Sequence, residues 1–384
     1  MKKDNEIMKL NLIAKVLLSK SIMMLIASNI FVGICSAKSN SDSLDIKIGQ
    51  MIMLGINNRT QFTETDSLLQ EISSNKVGGI ILFEKNIDKA EPSSRLKSLI
   101  EKAKSHSSIP LLVTIDEEGG KVHRLKEKYG FVGMPSAAYL GSINNADSTT
   151  FYNNRLAAEL SDIGINFNYA PSVDLAINPE NMVIVKRERS FSALPSITAK
   201  HASLCINAHH KNGVKTILKH FPGHGSSTAD SHLGIVDVSD SWDFQELFPY
   251  YELIKSNTCD AIMTAHIVNK NWDSSLLPAT LSKKVIGGML RGLLGYQGVV
   301  FSDDMQMHAI SKEYGVDRAL TLAINAGVDI VMFANNVDVN EQPVTATEVH
   351  SKIKKLVKDG KIAEARIDES YRRIMALKNK RFGS

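Results

Sequence analysis

Cysteine is scarce in this chain of 384 residues: Cys35, Cys205 and Cys259 are the only three. The two in the body are too few for a disulfide framework. A body of this size draws its stability from core burial, so Cys205 and Cys259 are expected as buried thiols rather than as a bridge. Charge of one sign is lacking as well. The formal net charge is +4. Residues 1–37 hold Lys2, Lys3, Lys9, Lys15 and Lys20 against Asp4 and Glu6, which is +3 of that total and leaves +1 for the rest. A near-neutral body gives no electrostatic reason to expect a nucleic-acid partner. Proline is low at 10 residues, and glycine at 24 shows no triplet period. With 43% hydrophobic and 22% charged residues, disordered, collagen-like and coiled-coil classes are excluded. The body contains no internal repeat and no low-complexity tract.

Residues 21–37, SIMMLIASNIFVGICSA, are apolar and carry no charge. Lysines precede them, Ala37 offers a small residue at the end, and Ser-Asn-Ser-Asp follows. Basic start, apolar stretch and small terminal residue describe a secretory signal peptide over residues 1–37. Met8 as the start gives a more usual signal length. The stretch is short for a membrane anchor and contains Asn29, which favours cleavage and export to the periplasm or beyond. Ile34 immediately before Cys35 is too bulky for a lipid-attachment site.

Eight β-branched runs recur through residues 38–384: 51–56, 77–83, 110–116, 165–171, 214–221, 260–266, 298–304 and 327–333. Most are apolar throughout rather than alternating, as parallel strands buried on both faces require. Helix-like segments lie between them, among them 64–74, 93–105, 152–162 and 316–326. The tail from Val344 to Lys380 reads as a closing amphipathic helical region. Strand–helix alternation eight times over points to an α/β fold, a (β/α)8 TIM barrel in a single domain. A doubly wound sheet is the alternative, but no G-x-G-x-x-G follows the first strand.

Barrel sites are built at the carboxyl ends of the strands. There the sequence places Asp116-Glu117-Glu118, then Asp174 after Ala170-Pro171, Lys219-His220, His266, Asp303-Asp304 and Asn335-Asn336. The richest segment is Lys219 to His232, KHFPGHGSSTADSH. Pro222, Gly223 and Gly225 break regular structure after the strand. Asp230 and His232 follow two apart, close enough for the carboxylate to fix the imidazole tautomer and raise its basicity. Imidazole gives and takes protons at neutral pH, with an ordinary value near ~6.5. The histidines His220, His224, His232 and His266 also suggest a metal-dependent barrel hydrolase. Against this, the first strand has no H-x-H and no tight His/Cys spacing occurs, so no metal is expected.

KHFPGHG-x4-DSH resembles the signature of family 3 glycoside hydrolases of the single-domain β-N-acetylglucosaminidase type. VGGIILF, IDEEGGKVHR, APSVDL, RERSF, TAH and FSDDMQM occur in the order that family shows, and the resemblance covers roughly residues 45–380. It implies Asp303 as nucleophile, His232 as general acid/base and Asp230 as its dyad partner. It implies sugar binding by Asp116, Arg124, Arg189, Lys219 and His220, and no cofactor. Departures are Lys121 where Arg is common, a less typical Met182–Arg187, and Ser226 where Asp is frequent. The export signal departs further, since the best-known members act in the cytoplasm on recycled wall fragments.

The implied reaction is retaining, exo-acting removal of terminal β-linked N-acetylglucosamine from peptidoglycan fragments or chitooligosaccharides through a covalent glycosyl-enzyme. A histidine base does not repel anions as a carboxylate would, so phosphorolysis is an alternative outcome. A third reading is a non-catalytic binder of wall sugars, which has no need of Asp303, Asp230 and His232 together. Glu117, Glu118 and Asp304 are the fallback carboxylates should His232 not be the acid. As a purely structural reading, the charged set is an ion-pair ring at the barrel rim.

Overall fold

The protein is described by a computed structural model covering residues 42–229, 234–336 and 343–380. The expected signal segment 1–37 and the dyad Asp230–His232 lie outside these residues. All eight expected runs are strands: β1 Ile52–Gly55, β2 Gly79–Leu82, β3 Leu112–Ile115, β4 Phe167–Asn168, β5 Lys215–Phe221, β6 Ala261–Thr264, β7 Val299–Asp304 and β8 Ile330–Phe333. They pair in parallel in chain order, and β8 returns to β1 to close the barrel. Every residue of β1, β2, β3, β5, β6 and β8 is buried, which is why their sequences read as unbroken apolar runs.

Helices alternate with the strands. Segment 64–74 is a helix over Ser67–Ser73, with Asp66 capping its start by accepting from Leu68 N–H. Segment 93–105 is Pro92–Ser105, with the proline in the first turn where a missing N–H costs nothing. Segment 316–326 is a helix over those same residues. The fourth, expected over 152–162, begins earlier, at Ala146, because Asn145 accepts from Ser148 N–H and caps it there. The tail forms two helices, Ala346–Lys358 and Glu364–Asn379. They pack on the first helix, Leu44–Gln50, at the amino end of the barrel. Half-buried Lys378 ties that end together by donating to Gly78 O at 2.8 Å and to Gln50 Oε1 at 2.5 Å; desolvation of its amine lowers it to about 7.

Three details depart from the sequence reading. The ladder of β4 is only two residues long, although seven were expected. Pro171 has no N–H to donate and interrupts the ladder, although Val173 N–H still donates to Lys219 O at 2.9 Å beyond it. A short parallel ribbon, Val236–Asp237 with Ile267–Val268, was not foreseen; two-residue strands leave no period to read. Cys205 and Cys259 are both free thiols, but Cys259 is half-buried rather than buried. Among the described residues, no helix is long and apolar enough to cross a membrane.

Candidate active site

A cleft of about 450 Å³ opens at the carboxyl ends of the strands. Asp116, Arg124, Arg189, Lys219, His220 and Asp303 all line it, six of the eight residues the sequence singled out. Each is carried on a strand end or the segment just beyond one, so the barrel fixes where it points. The floor and walls add Tyr169, Met263 and Met332, which no motif announced, and Met307, the last residue of FSDDMQM. Their positions follow from the barrel closing on itself, since they are distant in sequence.

The charged residues form one continuous chain of contacts. Arg124 donates to Asp116 at 2.9 Å. Lys219, only 2% exposed, bridges Asp116 and Glu118, the latter at 2.5 Å. Arg189 grips Glu118 with two nitrogens at 2.9 and 2.7 Å. It also donates to His220 Nε2 at 3.1 Å. A guanidinium has no acceptor, so Nε2 accepts and the His220 proton sits on Nδ1. That proton goes to Asp174 Oδ2 at 2.7 Å.

Burial alone would raise the acids in this chain. For Asp116 it is outweighed by Lys219, Arg124 and Arg189, which hold the carboxyl well below the usual range. Glu118 is likewise lowered, by Arg189 and Lys219 against burial. Asp174 is fully buried, yet its carboxyl is also held down, because His220 and the backbone N–H of His224, at 2.7 Å, outweigh that burial. The expected sugar-binding set is therefore brought together, and it is also the ion-paired ring that the structural reading described.

Asp303 and Asp304 both end β7, but their surroundings differ. Asp304 Oδ1 accepts from the backbone amides of Gln306 and Ala334, each at 3.0 Å, which ties it to the end of β8. Asp303 Oδ1 accepts from its neighbour's amide at 2.8 Å, and both carboxylates line the cleft at the strand end. The other fallback carboxylates are spent on structure. Glu117 is fully buried, accepts from the amides of Arg124 and Leu125 at 2.8 and 2.9 Å, and pairs with His123. Glu118 is held by Arg189 and Lys219.

Among the described residues the histidines do not gather as a ligand set, and His232 lies outside them. His220 spends both ring nitrogens on Asp174 and Arg189, and His266 spends both on Thr280 Oγ1 and Asp304 O. Among the described residues, no group of three or more His, Cys, Asp or Glu is arranged to hold a metal ion.

Residues 43–377 match the sequence profile of the glycosyl hydrolase family 3 N-terminal domain. The chain belongs to glycosyl hydrolase family 3. It is 33% identical over 330 residues to Beta-hexosaminidase A of Pseudoalteromonas piscicida, which covers 82% of this chain and 55% of that protein. It is 37% identical over 265 residues to Beta-hexosaminidase of Tolumonas auensis, covering 68% of this chain and 76% of the relative. Among solved structures, the family 3 β-N-acetylglucosaminidase of Paenibacillus sp. superposes with a TM-score of 0.79 at 34% identity, covering 88% of this chain and 62% of that one. The β-N-acetylhexosaminidase of Beutenbergia cavernae gives 0.79 at 27% identity, covering 89% and 100%. The chain thus spans little more than half the length of the Pseudoalteromonas relative and the whole of the Beutenbergia one.

The residue sequence reasoning passed over within the site is Asp174. It stood in the list of strand-end groups without a role. Only the fold shows that one buried carboxylate serves His220 and the segment beyond β5 together.

Proposed function

We propose that the chain is a retaining, exo-acting β-N-acetylglucosaminidase that hydrolyses terminal β-linked N-acetylglucosamine from oligosaccharides of cell-wall or chitin type. The observation that carries this reading is Asp303 at the end of β7, lining the same cleft as the Asp116–Lys219–Glu118–Arg189–His220 chain. A sugar ring needs groups that grip its hydroxyls and, beside the anomeric carbon, a nucleophile. Charged side chains make the stronger bonds to hydroxyls. The names borne by the Tolumonas relative and the Paenibacillus structure support the choice of sugar.

In the proposed reaction Asp303 attacks the anomeric carbon while His232 gives its proton to the departing oxygen. Asp230 stabilises the imidazolium that His232 must be beforehand. Water, losing a proton to His232, then displaces Asp303 and restores the original configuration. Residues 1–37 direct export and residues 38–384 form the mature catalytic domain in this reading. The test is chromophore release from an aryl β-N-acetylglucosaminide against the β-glucoside, with and without phosphate. Preference for the glucoside overturns the sugar assignment, and a glycosyl phosphate product replaces hydrolysis with phosphorolysis. N-terminal sequencing that begins at Met1 or Met8 overturns export.

A further inference from the structure

The segment beyond β5, Pro222 to Ser227, is held from several sides. Asp174 Oδ1 accepts from His224 N–H at 2.7 Å. Asn181, 1% exposed, donates to His224 O at 2.8 Å and to Ser227 Oγ at 3.0 Å. Trp242 Nε1 donates to Pro222 O at 3.3 Å. The remaining side is closed by Glu246, also 1% exposed, on the single turn Phe244–Leu247. Its Oε2 accepts from Gly225 N–H at 2.8 Å. Gly223, at φ +121°, lies flat against it; a Cβ there would stand 2.5 Å from the Glu246 Cβ, so only glycine permits the approach.

The other oxygen, Oε1, has no partner of hydrogen-bond geometry, and neither has Ser226 Oγ beside it. Ser226 carries its own hydroxyl proton, so turning Oγ–H toward Oε1 pairs the two orphans whether or not Glu246 is ionised. No ion pair among the described residues offers Glu246 a cation. Asp174 faces it from the segment after β4 with a like charge, and Tyr250 faces it from the next helix. The His220 ring is taken up by Asp174, and His224 Nδ1 meets Ser227 Oγ at 2.7 Å. Burial first, and then Asp174, push the Glu246 carboxyl up to about 8, against the bonds from Ser226 and Gly225. At neutral pH the proton is in place.

We propose that Glu246 is a positioning residue of the active site, a carboxylic acid that latches Gly225 and Ser226 and through them holds His224 and the Asp174–His220 pair at the cleft. Ionisation sets a second buried negative charge against Asp174, so the latch weakens as pH rises toward about 8.

The test rests on the proposed glycosidase activity and separates the two claims. Glu246→Ala is expected to lose roughly tenfold or more in kcat with a smaller change in KM, because the reacting groups shift while the sugar grip stays. Glu246→Gln keeps an acceptor for Gly225 and a donor for Ser226. It is expected to recover most of what alanine loses at pH 6 to 7. A Tm series forms the second arm. The folded carboxyl titrates above its unfolded value, so the stability Glu246 contributes is lost as pH rises from about 4.5 to about 8. Tm of Glu246→Gln minus wild type should grow over that window and be small at pH 4. Glutamine as impaired as alanine, or a Tm difference that does not change with pH, overturns the proposal. Wild type inactive on the aryl substrate sinks the functional reading instead; the Tm series then decides alone, and a pH-independent difference overturns the latch.

Discussion

Replacing Lys219 by methionine separates a sugar grip from a structural ring. The lysine is 2% exposed and bridges Asp116 and Glu118, so its removal leaves two carboxylates sharing Arg124 and Arg189. Breaking a buried pair costs about 3–5 kcal/mol when the partner is stranded. Here each carboxylate keeps one guanidinium, which puts the expected loss at the low end, about 3 kcal/mol. For a barrel of this size that is about 4 °C in Tm. If Lys219 also holds a sugar hydroxyl, a charge-assisted bond worth about 1.5–3 kcal/mol is lost, roughly 10- to 100-fold in kcat/KM. The second variant decides. Lys219→Met combined with Glu118→Gln removes one charge of each sign, so Tm should return most of the way while kcat/KM stays low. Thermal melts and steady-state kinetics on the aryl N-acetylglucosaminide read both quantities. Recovery of kcat/KM together with Tm in the double variant would refute the sugar-gripping role and leave only the ring.

Asp303→Ala should abolish turnover without lowering Tm much, and a fluorinated mechanism-based sugar should label Asp303; labelling at Asp304 shows the wrong carboxylate was chosen. Asp304→Ala should instead cost stability, because it strips an acceptor from the Gln306 and Ala334 amides. His232→Ala should spare aryl groups of low pKa in the glycosylation step, accumulate the glycosyl-enzyme, and regain turnover with azide; a uniform loss without rescue demotes His232 to a positioning role. Asp116, Glu118 and Asp174 titrate below their unfolded values, so the stability they contribute is full above about pH 4.5 and is lost as pH falls through the folded values. Glu246 acts in the opposite sense between about pH 4.5 and 8, while buried His209 and His224, lowered to about 4, add stability as pH rises toward about 6.5. Tm should therefore fall steeply below about pH 4.5, and a Tm unchanged from pH 5 to 3 contradicts the acid arm.

The eight strands were legible because a barrel strand is buried on both faces, and that burial is written as an unbroken apolar run. The chemistry at their ends was legible for a related reason. Asp116, Lys219, His220 and Asp303 each sit at the last turn of such a run, so chain position alone assigns them to one face. Helix starts depend on caps, and Asn145 shows how a single side chain moves one. Pairing was not legible. Whether Lys219 meets Asp116, Glu118 or both depends on how β3 and β5 are set around the closed barrel, and no local pattern encodes that distance. The same holds for Asp174, Asn181 and Glu246. Read singly they are one acid after a strand, one amide in a loop and one acid before a helix. Only the tertiary structure brings them against a single six-residue stem, because burial and hydrogen bonding between distant segments, unlike periodicity, leave no trace in sequence order.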